Sequence, residues 1–311
     1  MQQKKSTNKP LRILISGSSG LVGTVLTTFL TTESHLVERM RRSAQPDREG
    51  APVWDPQSGL VEQKYLEGYD AVFHLGGANI GSGLWTQRRK KLIYDSRIKS
   101  TRLLAEALAG LNHPPKVLLV ASATGFYGDR GAEQLTETEP AGNGFLAELS
   151  RDWEDAAHSA QKAGIRVVHL RFGLVLSPLG GVLKRLLPVF KLGMGAIMGS
   201  GDQYWPWITL DDVIGAMNHA MHSEQIFGAL NVVAPQAVTN REFTKTLNTV
   251  LRRPTLLKIP AWVLKLIPGD MGREAFLTST RIIPDQLTKS GFTFQFPELK
   301  PALEYMLSKG I

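Results

Sequence analysis

No cysteine occurs among the 311 residues. That absence excludes disulfide scaffolds, thiolate metal sites, iron–sulfur clusters and cysteine nucleophiles together. It fits a reducing cytoplasm. Long hydrophobic runs are missing too. No stretch approaches the roughly 18 apolar residues that a membrane span needs. Residues 1–10 are polar and basic, without the apolar stretch of a signal peptide. The expectation is a soluble, cytoplasmic protein that uses no membrane. Acidic residues are the scarcer sign, 28 against 36 Lys+Arg, for a net charge of +8. Such a balance raises the expectation of anionic partners. The densest basic run, Arg88 to Lys91, sits among residues with helical spacing and reads as a solvated face. No nucleic-acid motif accompanies it, so no nucleic-acid partner is expected. Apolar residues at 42% and charged residues at 21% are ordinary globular usage. A chain of this length buries a substantial core.

Strand-like and helix-like segments alternate through the first half. Residues 11–16 read as a strand, followed by a glycine-rich turn and a helix to about residue 32. Residues 35–40 read as a second strand, although Glu38 and Arg39 fall where a buried parallel strand would be apolar. Val53-Trp54 reads as a very short strand, and 71–75 as another, stopped by Gly76-Gly77. A helix is expected from about 85 to 108, a strand over 117–121 and a Gly-rich loop over 124–143. A helix over 145–163 closes at Gly164, and a strand covers 165–170. Alternation of this kind means βαβ units and a parallel sheet. The expected class is α/β: a Rossmann-type doubly wound parallel sheet with a small mixed C-terminal substrate region. Beyond Ser177 glycines and prolines become dense, so a boundary is placed near 178. Residues 11–178 form the nucleotide-binding domain and 179–311 the substrate region, part of which can pack back on the first.

Gly17-x-x-Gly20-x-x-Gly23 follows a strand and opens a helix. The first glycine allows the tight turn, the second lets backbone approach a pyrophosphate, and the third lets helix and strand pack closely. The helix start offers free N–H groups to phosphate. At the end of the second strand stand Arg41-Arg42, with Asp47 too far along the loop to serve there. Guanidinium pairs with a 2′-phosphate where a carboxylate would accept from a 2′-hydroxyl. NADP(H) is therefore expected over NAD(H).

Several segments together resemble the extended short-chain dehydrogenase/reductase superfamily: Ser16 to Gly23, Asp70-x-x-x-His74-Leu75-Gly76-Gly77, Ser122 to Asp129, and Trp207 to Val213. More narrowly, the chain resembles the YfcH-type epimerase-like family, also labelled SulA-like. That match rests on Trp85-Thr86, Ser96-Arg97, Leu170 to Leu176, Gly199 to Gln203 and the tail around Pro284 to Pro297. The resemblance implies a Rossmann-type domain and a cofactor set of Gly17, Ser19, Gly20, Leu21, Val22, Gly23, Arg41, Arg42, Leu75, Gly76, Gly77, Arg97, Ser122, Arg171 and Val175. The superfamily resemblance also implies a Tyr-x-x-x-Lys pair, whose lysine would lower the phenol pKa for acid–base work, a pair that the YfcH-type family generally lacks. This chain departs from the superfamily pattern. Where the pair belongs stand Phe145 and Leu149, and only Tyr305 has a lysine four residues on, Lys309, at the far C-terminus.

Ser122 and Thr124 remain as hydroxyls near the expected nicotinamide, with Tyr127 the nearest phenol and Asp129 the nearest carboxylate. Ser122, Thr124 and Tyr127 are the candidate catalytic residues. Each has an alternative structural role in strand-end or loop hydrogen bonding. Arg97 favours a cofactor phosphate or a substrate anion. His219 and His222 share a helix face without further ligands, so no metal site is expected. Two functions stand side by side. One is an NADP-dependent oxidoreductase or epimerase acting on a small carbonyl or sugar-like molecule. The other is a catalytically silent NADP(H)-binding regulatory or interaction protein. Oligomeric state is not legible.

Overall fold

The computed structural model describes residues 9–43, 52–266 and 270–308. Asp47 and Lys309 lie outside them. Six segments build most of one sheet: β1 (Arg12–Ser16), β2 (Leu36–Arg42), β3 (Val53–Asp55), β4 (Leu60–Val61), β5 (Ala71–His74) and β6 (Val117–Ala123). Two later strands, Arg166–Phe172 and Gly228–Val232, complete it. The order is Gly228–Val232, Arg166–Phe172, β6, β5, β1, β2, β3, β4. All neighbours pair parallel except β3 with β4. Chain reversal on either side of β1 places a crevice at the carboxyl ends of β1 and β5, where open α/β sheets bind ligands.

Alternation along the strands sends side chains to two cores. Leu14, Val72, Leu118 and Val167 face helices α2 (Gln87–Ala109) and α3 (Phe145–Asp155) through Leu104, Leu108 and Trp153. Ile13, Ile15, Phe73, Leu119 and Val168 face α1 (Leu21–Thr32) and the helix Leu210–His222. The sheet is thus covered on both faces, which explains the near-continuous apolar strands. Residues past 178 return to this unit, since Leu210–His222 packs on the same face as α1 and Gly228–Val232 extends the sheet. A third core, built on Leu183, Trp207, Phe243 and Leu303, holds the C-terminal elements.

The charged residues of β2 have a physical cause. Beyond β1 that strand is flanked only by the short β3, and most of its residues are exposed or half-buried. Glu38 accepts from Arg12 at 3.2 Å and from the Tyr69 hydroxyl at 2.6 Å. The helix expected over 145–163 is broken: α3 stops at Asp155 and a short helix, His158–Lys162, follows, ending before Gly164 at φ +86°. Within the basic run, Lys90 pairs with Asp270 and Lys91 with Asp95.

Candidate cofactor loop and active-site cleft

At the end of β1 the chain turns at Gly17, where φ is +76°. A Cβ there would lie 2.6 Å from the Leu75 carbonyl carbon, and one at Gly23 would lie 2.3 Å from the Gly17 oxygen. Backbone fills both places, so only glycine fits. Gly20 is different. A Cβ there would meet nothing closer than the Gly17 oxygen at 3.4 Å, and Ser19 and Gly20 are exposed. Gly20 is also the N-cap of α1, and no side chain caps that helix. The first-turn N–H groups therefore face the open side of the loop. This is the shape a pyrophosphate requires: backbone packed behind, space in front and donors at the edge.

Other expected cofactor residues gather around this turn. The Leu75 N–H donates to the Ser16 carbonyl at 3.0 Å, which sets Leu75, Gly76 and Gly77 beside the loop. Arg41 and Arg42 end β2 on its exposed side, and Arg42 Nη2 would stand 3.8 Å from a Cβ on Gly76. Leu21 and Val22 pack against the sheet, with Leu21 touching the Gly180 position. Val175 is half-buried on the same face. Beneath the loop lies His74, fully buried, with Nδ1 2.5 Å from Ser16 Oγ and Nε2 3.2 Å from Ser100 Oγ. Burial, reinforced by the charge of Arg42, lowers its pKa to about 3.

Beyond the end of β6 opens a cleft of about 710 Å³. Ser122 to Gly125, Phe172 to Leu174, Leu149, Trp153, Trp85, Arg97 and Trp205 line it, as do Asp129 and Glu274. Ser122 Oγ donates to Glu154 Oε1 at 2.7 Å, and Thr124 Oγ1 donates to the Phe172 carbonyl at 3.2 Å. Behind Ser122 the Glu154 carboxylate is clamped by Arg171, whose Nε and Nη2 each donate at 2.8 Å. Arg171 Nη1 donates to the Tyr127 hydroxyl at 2.8 Å, and that hydroxyl donates to Asn231 Oδ1 at 2.7 Å. Tyr127 and Arg171 are therefore directed into this network and are not among the residues lining the cleft. Burial pushes the Tyr127 phenol up to about 12, against the opposing pull of Arg171 and Asn231. Asp129 reaches the cleft wall, but its Oδ1 accepts from the Ser279 N–H at 3.1 Å.

Arg97 comes from α2 and is 9% exposed. Its Nη1 donates to the carbonyls of Ala78 and Ile93, each at 3.1 Å. Its guanidinium lies 4.9 Å from the Trp153 ring centre and flat against Gly77. Loss of hydration, with Arg89 nearby, lowers its pKa to about 10, so it stays cationic at neutral pH. Where the tyrosine–lysine pair was expected, Leu149 lines the cleft and the Phe145 ring packs on Trp85 with centres 5.5 Å apart. Glu274 accepts from the Phe145 and Leu146 N–H groups at 3.1 and 2.9 Å. His219 bonds Ser290 at 2.9 Å, while the His222 ring lies 6.0 Å from that of His35.

Sequence reasoning missed Glu154, His74 and Glu274. Glu154 stands between Trp153 and Asp155 in a helix-like segment, and nothing in the local sequence marks it as a partner for Ser122 or Arg171. His74 did leave a signal, a polar ring inside the apolar run Ala71-Val72-Phe73.

The NAD dependent epimerase/dehydratase family matches residues 13–232, and a domain of unknown function, DUF1731, matches 259–306. An epimerase family protein of Mycobacterium bovis, Mb2239, is 39% identical over 297 residues, covering 96% of this chain and 98% of its own. The crystal structure of human epimerase family protein SDR39U1 (isoform 2) with NADPH superposes with a TM-score of 0.85 at 31% identity. The match covers 97% of this chain and all of that one. A nucleoside-diphosphate sugar epimerase from Corynebacterium glutamicum gives 0.79 at 33% identity, over 97% of this chain and 59% of that one. No helix among the described residues is long and apolar enough to cross a membrane.

Proposed function

Since the chain belongs to the NAD dependent epimerase/dehydratase family, we propose that it is an NADP(H)-binding oxidoreductase acting on a small molecule seated beside Ser122. The observation that carries this reading is the contrast within the glycine loop. Backbone fills the spaces at Gly17 and Gly23, and open space faces Gly20 at an uncapped helix start. The human relative crystallised with NADPH supports the same cofactor here. Gly17, Gly20 and the α1 start would hold the pyrophosphate, and Arg41-Arg42 the 2′-phosphate. Bound NADP(H) supplies hydride transfer. The chain's own part is to orient the substrate, shield it from water with Trp85, Trp153 and Phe172, and fix polar atoms with Ser122, Thr124 and Arg97. Epimerisation of an unactivated sugar needs an acid–base group that Phe145 and Leu149 do not supply.

A second reading has one observation in its favour. Tyr127, the phenol closest to Ser122 along the chain, is saturated by Arg171 and Asn231, which suits a protein that binds NADP(H) as a silent regulatory module. Titrating NADPH and NADH against the fluorescence of the six tryptophans tests the common part. Tighter binding of NADPH is expected, and no binding of either cofactor would overturn it. A screen of sugar nucleotides, quinones and reactive carbonyls, followed by NADPH absorbance, separates the two readings. Reduction of any of them, or reduction of NADP+ by an alcohol, supports the oxidoreductase, and silence in both directions supports the module.

A further inference from the structure

We propose that the cleft receives a hydroxy acid with an apolar body, whose hydroxyl donates to Ser122 and whose carboxylate accepts from Arg97. This rests on the oxidoreductase reading and names its substrate class.

The first observation concerns where protons point. A serine hydroxyl has one proton and two lone pairs. The Ser122 proton is held by Glu154 at 2.7 Å, and Arg171 fixes that carboxylate through two 2.8 Å bonds. The Thr124 proton goes to the Phe172 carbonyl. Both hydroxyls therefore offer the cleft lone pairs. A ligand carbonyl only accepts, and would have to break a charge-assisted bond to take the Ser122 proton. A ligand hydroxyl donates to Ser122 with that bond intact.

The second observation concerns Arg97. Among the described residues no carboxylate pairs with it, and only its Nη1 makes hydrogen bonds. A buried cation is costly without a partner. Its remaining N–H groups offer a planar edge that matches one carboxylate. A single guanidinium suits a monoanion better than a phosphate dianion. The indole N–H groups of Trp85 and Trp153 are already committed to Ile80 and Thr101. Those rings, with Leu149, Phe172 and Trp205, leave the rest of the ligand an apolar wall.

The test is calorimetric titration of NADPH-saturated protein with mandelate, 2-hydroxyisocaproate and 3-hydroxybutyrate. Two altered forms of each accompany them: the O-methyl ether, which keeps the oxygen but cannot donate, and the methyl ester, which loses the charge. The expected result is that at least one hydroxy acid binds about tenfold more tightly than its ether and about tenfold more tightly than its ester. Ser122→Ala should erase the first difference, and Arg97→Ala the second. The ligand series in the unaltered protein decides the matter even where a variant unfolds. Equal binding of acid, ether and ester, or no binding by any acid at millimolar concentration, would overturn the proposal. So would loss of NADPH binding in a folded Arg97→Ala protein, which would make Arg97 a cofactor ligand. Failure of the unaltered protein to bind NADPH would sink the oxidoreductase reading instead, and is seen before any acid is added.

Discussion

The glycine loop and the Ser122 cleft both lie at carboxyl ends of strands in one sheet, yet they are made of different material. The loop is backbone against backbone: Gly17 against Leu75, and Gly23 against the Gly17 carbonyl. Its three glycines are neighbours in the chain, and Leu75 is the backing that comes from elsewhere. The polar network behind the cleft is side chain against side chain, and its partners come from several elements: Ser122 with Glu154, Glu154 with Arg171, Tyr127 with Asn231. The loop's tolerance is set by space alone. The cleft's tolerance is set by charge pairing in a dry interior, where one lost partner strands another. Perturbing each half should therefore fail in a different way.

The largest effect is expected at Glu154. Replacing it with alanine leaves Arg171, whose side chain is 5% exposed, without its anion. Breaking a buried pair from one side costs about 3–5 kcal/mol, and urea unfolding should show a loss in that range. Glu154→Gln keeps hydrogen-bonding capacity without the charge and should lose less. A loss under about 1 kcal/mol for the alanine variant would mean that the cleft is not held by this pair.

The loop should respond to size alone. Gly23→Ala drives a methyl into the Gly17 carbonyl and is expected to cost up to about 3 kcal/mol. Gly20→Val meets open space, so the cofactor-free protein should melt within about 1 kcal/mol of the parent. That variant should gain no stability from NADPH, which the parent gains by binding. Melting curves of both variants with and without NADPH check this. A Gly20→Val protein still stabilised by NADPH would remove the pyrophosphate from this loop.

A smaller effect is expected at the loop's rim. A guanidinium–phosphate contact contributes roughly 1.5–3 kcal/mol, or about tenfold to a hundredfold in affinity. Replacing Arg41 and Arg42 together by alanine should remove that preference for NADPH over NADH and leave NADH affinity unchanged. A preference that survives in the double variant would place the 2′-phosphate elsewhere.

What was legible in the sequence divides along the same line. The strand–glycine–helix order is local, so the sheet, the loop and the βαβ rhythm could be read directly from residues 11 to 32 and 71 to 123. The return of Gly228–Val232 to the sheet edge could not be located, because pairing across more than fifty residues leaves no local mark. Tyr127 looked available as a phenol until Asn231, 104 residues away, was seen to accept its proton. Arg171 sits in a strand whose sequence suggested a cofactor contact, and only the fold brings Glu154 to it. The oddity of Glu38 and Arg39 dissolved once β2 proved to be barely covered by its outer neighbour.

His74 breaks the tidy contrast, because it puts side-chain chemistry directly beneath the backbone-built loop. It is fully buried between Ser16 and Ser100, with Trp54 edge-on at 5.5 Å. Burial is the larger cause that lowers its pKa to about 3, from an ordinary 6.5. The unfolded chain therefore takes up a proton that the folded chain refuses. Stability from the neutral ring is fully present above the ordinary value and drains away as pH falls from about 6.5 toward 3. At pH 5 the loss from this one group is about 2 kcal/mol. Burial shifts His169, His35 and His219 in the same direction, so the whole protein should lose more than that. His74→Asn isolates the share of one ring: the amide keeps a polar group near Ser16 but has no proton to gain. Urea unfolding of parent and variant at pH 7.5 and 5.0 should show the parent losing about 2 kcal/mol more than the variant across that interval. Carboxylates and the other histidines are common to both proteins and cancel in the difference. Equal losses would mean that His74 can take a proton in place. The seat beneath the glycine loop would then be wetter than its packing indicates, and the loop's rigidity would have to come from Gly17 and Gly23 alone.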